Sequence, residues 1–190
     1  ALVVVPRVPR SWLLFLARGF SWVTYPLLHQ SRRVGMANLA LAFGNHFSSA
    51  EKQRILRTSF RTFAQVILDI FWFTRHSRQR LADLVAFDQE GLEQFERTPL
   101  VCITGHFGNW EILGQALSGA GYPLHSVAAP LANPGVDTLF IPSRELSGQT
   151  IVPKKGAIQS LIQVLRNGGR VALLLDQNTK TNDGGVFVNI

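Results

Sequence analysis

Twelve of the sixteen glycines fall after residue 100, and the periodicity of the chain changes with them. Before that point apolar residues recur at helical spacing. Trp12, Phe15, Phe20, Trp22 and Leu27 mark a helix over 11–29, and Met36, Leu39, Ala40 and Phe43 a second over 33–43. Leu56, Phe60, Phe63, Ile67 and Phe71 predict a long amphipathic helix to about Thr74, its apolar stripe turned to a core. Ser48-Ser49-Ala50-Glu51 just ahead of it has the hydroxyl-to-Glu spacing of a capping box. After residue 100, short β-rich runs alternate with helical patterns. Leu100–Thr104, Leu124–Ala128, Thr150–Val152 and Arg170–Leu175 predict strands, the first and last of them buried. Trp110, Leu113, Leu117 and Ala120 predict a helix, as do the stretch near Asp137–Leu146 and the stripe Ile158, Leu161, Ile162, Leu165. This alternation implies an α/β layered fold. A helical N-terminal region, residues 1–84, is expected to pack on a largely parallel sheet with flanking helices, residues 85–190.

Charge divides the chain in the same direction. Residues 1–60 hold eight Lys or Arg and one acid, Glu51, and so carry the whole net charge of +7. Residues 61–190 are near neutral. A basic, aromatic-rich front implies an anionic surface as partner, membrane or nucleic acid. That front has no zinc spacing and no RNA or DNA motif, which weighs against nucleic acid. A phosphate-binding loop is disfavoured too, because no glycine-rich stretch ends in Lys-Ser or Lys-Thr. A hydrophobic content of 46% excludes disorder, and the single Cys102 excludes an internal disulfide framework. Apolar neighbours predict that Cys102 is a buried, inert thiol. A bilayer-spanning helix needs about 20 apolar residues in a row. Arg18 and Pro26 interrupt 11–29, and three prolines and four glycines interrupt 112–136, so no span is expected. Pro6, Arg7, Pro9 and Arg10 break any cleavable signal pattern.

The stretch richest in chemistry is Thr104-Gly105-His106-Phe107-Gly108-Asn109-Trp110-Glu111, which joins a strand end to a helix start. In α/β sheets ligands gather at that edge. Five residues turn through about 500° of a continuous helix, so His106 and Glu111 can meet only across a non-helical link. Gly105 and Gly108 permit such a link. Glu111 would then fold back onto the imidazole, fixing its tautomer as a general base requires. The other reading is a structural histidine, with Glu111 complementing the helix dipole.

Together these residues resemble the lysophospholipid acyltransferase superfamily, whose signature is a His, four residues and an acid. More closely, the eight-residue block is similar to that of the lipid A biosynthesis lauroyl/myristoyl acyltransferases. Arg33-Val34-Gly35-Met36-Ala37-Asn38-Leu39-Ala40-Leu41-Ala42-Phe43 resembles that family's N-terminal arginine and Asn-Leu-Ala-Leu-Ala-Phe signature. Leu173-Leu174-Leu175-Asp176-Gln177 with Gly185-Val186-Phe187-Val188 resembles its Asp-Gln and Gly-Val-Phe-Val pair, and Arg144 matches the arginine between blocks. The family continues into Pro-Phe-Phe-Gly and beyond, where this sequence reads Asn189-Ile190, so the resemblance implies a C-terminally truncated member.

What the resemblance implies is transfer of a fatty acyl group from an acyl carrier protein or coenzyme A thioester to a hydroxyl of a membrane glycolipid of lipid A precursor type. No cofactor or metal is implied. The expected location is the cytoplasmic face of the bacterial inner membrane, reached peripherally through residues 1–60 or with an anchor. His106 is the implied general base and Glu111 its orienting acid. Because the hydroxyl attacks directly, Cys102 is not needed. Amides near Gly108 and Asn109, or the Asn109 side chain, are candidates for the developing oxyanion. Arg144 is a candidate for a phosphate or for an ion pair with Glu145 or Asp137. Asp176, with Gln177, either supports the site or caps the following loop. Two alternatives stay open: acylation of another glycolipid, such as a phosphatidylinositol mannoside, and a non-catalytic basic membrane-binding module.

Overall fold

The capping box forms. Ser48 Oγ accepts from the Glu51 backbone amide at 3.3 Å, and Glu51 Oε2 accepts from the Ser48 amide at 2.8 Å. It starts α3 (Ser49–Trp72) and is worth about 1 kcal/mol to a helix end. The computed structural model describes residues 3–129 and 134–177, and its contacts divide the chain into two units at Arg75/His76. In the first unit α3 packs against α1 (Arg10–Leu27) and α2 (His29–Phe43). Of the predicted stripe, Leu56 and Phe71 are buried, Phe60 and Ile67 half-buried and Phe63 exposed, while Ala64, Val66 and Ile70 are buried beside it.

The helix expected over 11–29 forms as α1, and its large rings are not its packed face. Its buried residues are Leu13, Ala17 and Ser21, four apart, while Trp12, Phe15, Phe20 and Trp22 are 61–80% exposed. Small Ala17 and Ser21 present a shallow face on which a second helix can lie, and the large rings fall elsewhere on the helix. Near the start of α1, Arg10 grips Asp69 of α3, which is only 1% exposed. Arg10 also lies 4.9 Å from the Trp72 ring centroid, and Trp72 Nε1 donates to Val8 O at 2.8 Å. A carboxylate taken out of water needs such a paired cation. Among the described residues no helix is long and apolar enough to cross a membrane.

The second unit opens with α4 (Ser77–Leu84) and α5 (Gln89–Glu93) and then builds the sheet. Sequence periodicity divides the chain at 84/85; the contacts leave α4 in this unit, packed on α6 (Trp110–Gly119). As expected, the unit is α/β: among the described residues, four parallel strands flanked by helices. They are β1 (Leu100–Thr104), β2 (His125–Ala128), β3 (Thr150–Pro153) and β4 (Arg170–Leu174), in the order β1-β4-β2-β3. Helices α6, α7 (Pro134–Glu145) and α8 (Ala157–Arg166) make the crossovers, as parallel pairing demands. Leu117, Leu124 and Ala172 form a buried cluster with Phe87, Leu92, Phe95 and Cys102 against it. β1 is less buried than its composition predicts, with Val101 47% and Ile103 69% exposed. It is an edge strand of the described sheet, and its side chains alternate between a covered face and an open one. The Gly185–Val188 segment lies outside the described residues.

Candidate active site

Parallel pairing puts Thr104 of β1 opposite Leu174 of β4, and the Leu175 amide donates to Thr104 O at 3.0 Å. Two residues past these paired strand ends stand His106 and Asp176. Equal offsets from one register carry both to the same sheet edge. The His106 backbone N–H donates to Asp176 Oδ2 at 2.7 Å, and His106 Nδ1 lies 2.8 Å from Oδ1. Gly105 makes this approach possible, since a Cβ there would fall 3.0–3.1 Å from the Asp176 side chain. The turn then closes through Phe107 N–H to Gly105 O at 2.8 Å. Gly108 sits at φ +58°, a left-handed conformation that glycine adopts without strain. Asn109 is the N-cap of α6, its Oδ1 accepting from the Ile112 amide at 3.2 Å. That oxygen is an acceptor committed to the helix.

The two hydrogen bonds from His106, side chain first and backbone second, hold the Asp176 carboxyl below the usual carboxylate range. An ionised carboxylate only accepts, so the proton of the short contact belongs to Nδ1 and the lone pair to Nε2. Both side chains keep contact with solvent, at 34% and 43% exposure. The Trp110 ring meets the imidazole edge-on, with centroids 4.9 Å apart, and the Gln177 amide comes to 3.4 Å from Nδ1.

Glu111 does not fold back onto His106. Its Oε2 accepts from Arg144 Nε at 2.7 Å and its Oε1 from Arg144 Nη2 at 2.6 Å, with both side chains largely buried. A two-pronged guanidinium occupies both carboxylate oxygens. The imidazole's carboxylate is therefore Asp176, and Arg144 pairs with Glu111 rather than with Glu145 or Asp137. Glu145 instead accepts from the Ile151 amide at 3.1 Å. Glu111 still reaches the histidine indirectly, because Trp110 Nε1 donates to its Oε1 at 3.2 Å while the indole touches the imidazole. Trp110 is the site residue that sequence periodicity assigned only to a core stripe. Cys102 is half-buried on β1, and burial pushes its thiol up, away from a reactive thiolate.

Fold and site together define an α/β protein with a carboxylate-held histidine at the carboxyl edge of a parallel sheet. The chain belongs to the bacterial lipid A biosynthesis acyltransferase family, whose model matches residues 1–190. Membership makes acyl transfer its class of reaction and implies an acyl donor and a lipid acceptor. No curated protein matches the chain.

Proposed function

We propose that the protein moves a fatty acyl group from an acyl carrier protein or coenzyme A thioester to a hydroxyl of a glycolipid of lipid A precursor type. The observation that carries this reading is the Nδ1–Asp176 contact, which leaves Nε2 as a base. Nε2 takes the acceptor hydroxyl's proton as its oxygen attacks the thioester carbonyl. The tetrahedral oxyanion collapses, the carbon–sulfur bond breaks, and the imidazolium returns the proton to the departing thiolate. Asp176 stabilises the imidazolium between those steps. The turn amides around Gly108 act as the oxyanion donors. Glu111 and Arg144 act as a positioning pair: they hold the start of α6 and, through Trp110, one side of the imidazole.

The first unit supports a membrane-surface location at the cytoplasmic face of the inner membrane. Trp12, Phe15, Phe20 and Trp22 are exposed on α1, and aromatic rings favour the headgroup region. Basic residues near an anionic leaflet contribute about 1 kcal/mol each, and residues 1–60 hold eight of them. The test is an acyl-transfer assay with both thioester donors and with lipid A precursor and mannoside acceptors. Activity should fall about 10³-fold in His106→Ala; full activity in that variant would overturn the general-base assignment.

A further inference from the structure

The first unit contains a second polar cluster that acyl transfer leaves unused. Between α1, α2 and α3 lies a cleft of about 310 Å³ whose lining includes Tyr25, His29, Arg32, Arg33, Gln53 and Arg57, and no carboxylate. Helical spacing assembles it: 29, 32, 33 and 36 share a face of α2, and 53 and 57 share a face of α3. Two guanidiniums, those of Arg32 and Arg57, each lie 5.2 Å from the one Tyr25 ring. Like charges gathered on one ring repel unless something negative joins them.

Nothing in the unit supplies that charge. Its only acids are Glu51 and Asp69. Glu51 closes the capping box, and Asp69 takes Arg10. Arg32 is the most telling residue. One of its terminal nitrogens meets His29 Nδ1 at 2.6 Å, yet its Nε is buried with no hydrogen-bond partner. Leaving a buried donor without an acceptor is unfavourable. Arg33 and Arg57 add two further guanidiniums to the same lining, and Gln53 an amide.

We propose that this cleft binds a phosphate group, as a monoester or diphosphate. Guanidinium forks match phosphate oxygens in pairs, and the space exceeds one phosphate, leaving room for the group that bears it. The site stands independently of the acyl-transfer reading, because its readout is binding. Phosphate can arrive on a soluble molecule or on a lipid headgroup, and two arms separate these sources. In the first, inorganic pyrophosphate is titrated into the protein by calorimetry. Wild type and Arg54→Gln/Arg61→Gln, which removes an equal charge from α3 outside the cleft, should bind alike. Arg32→Gln/Arg57→Gln should bind at least tenfold more weakly, with an unchanged circular dichroism spectrum and melting curve. In the second, flotation uses phosphatidylcholine vesicles with or without phosphatidic acid. Binding that needs phosphatidic acid, is weakened by the double substitution and is competed by pyrophosphate assigns the headgroup. Pyrophosphate binding to the cleft without such vesicle dependence assigns the soluble source. Failure of wild type to bind either probe, or equal binding by wild type and the double variant, overturns the site.

Discussion

Two carboxylates near the carboxyl edge of the sheet hold cations in opposite ways. Asp176 meets His106 in a contact open to water, with a partner that can gain or lose a proton. Glu111 meets Arg144 in a buried fork, with a partner that is always charged. The open pair can change protonation because water screens the result. The buried pair cannot change without stranding an ion. In the proposed mechanism proton traffic belongs to the first and scaffolding to the second, although the sequence spacing suggests Glu111 as the histidine's partner.

Substitutions should expose that division. The largest effect is expected for His106→Ala, with kcat/KM falling about 10³-fold, within the range of general-base losses, and the melting temperature little changed. Next comes Glu111→Gln, which leaves Arg144 buried without its counter-charge. It should cost about 3 kcal/mol in denaturant unfolding, and the double variant Glu111→Met/Arg144→Met should recover part of that loss. Asp176→Asn keeps the shape but not the charge that steadies an imidazolium. It should lower kcat about 10²-fold while leaving KM and stability near wild type. A Glu111→Gln protein with wild-type stability and lost kcat, beside an active Asp176→Asn, would reverse the two roles.

The smallest effect concerns pH. Because the folded carboxyl of Asp176 is depressed, its contact contributes fully above the unfolded range and is lost as pH falls through the folded value. The His106 backbone amide resonance should therefore move with a midpoint below the usual carboxylate range. A midpoint at or above that range would break the link between the carboxylate and the turn.

Local rules carried most of the fold into the sequence. Ser48 and Glu51 announce a helix start because both partners lie within one turn. The four strands are legible as short β-rich runs between helical stripes. Strand order is not local, and the His106–Asp176 contact depends on it, since β4 returns beside β1 only after β2 and β3 are laid down. Seventy residues of sequence separate that pair, whereas Glu111 stands five from the histidine and looks the natural partner. The packed side of α1 was not legible for another reason. Periodicity finds a helix, but ring size does not say which side packs, and there Ala17 and Ser21 decided it.

The equal offset of His106 and Asp176 from one strand register has a consequence for quality control. Sliding β4 by one residue against β1 would turn Asp176 to the opposite face of the sheet. The histidine would then lose its tautomer partner while the secondary structure stayed intact. Under the proposed mechanism a misthreaded chain would be catalytically silent, and only the correctly zipped ladder would arm the base.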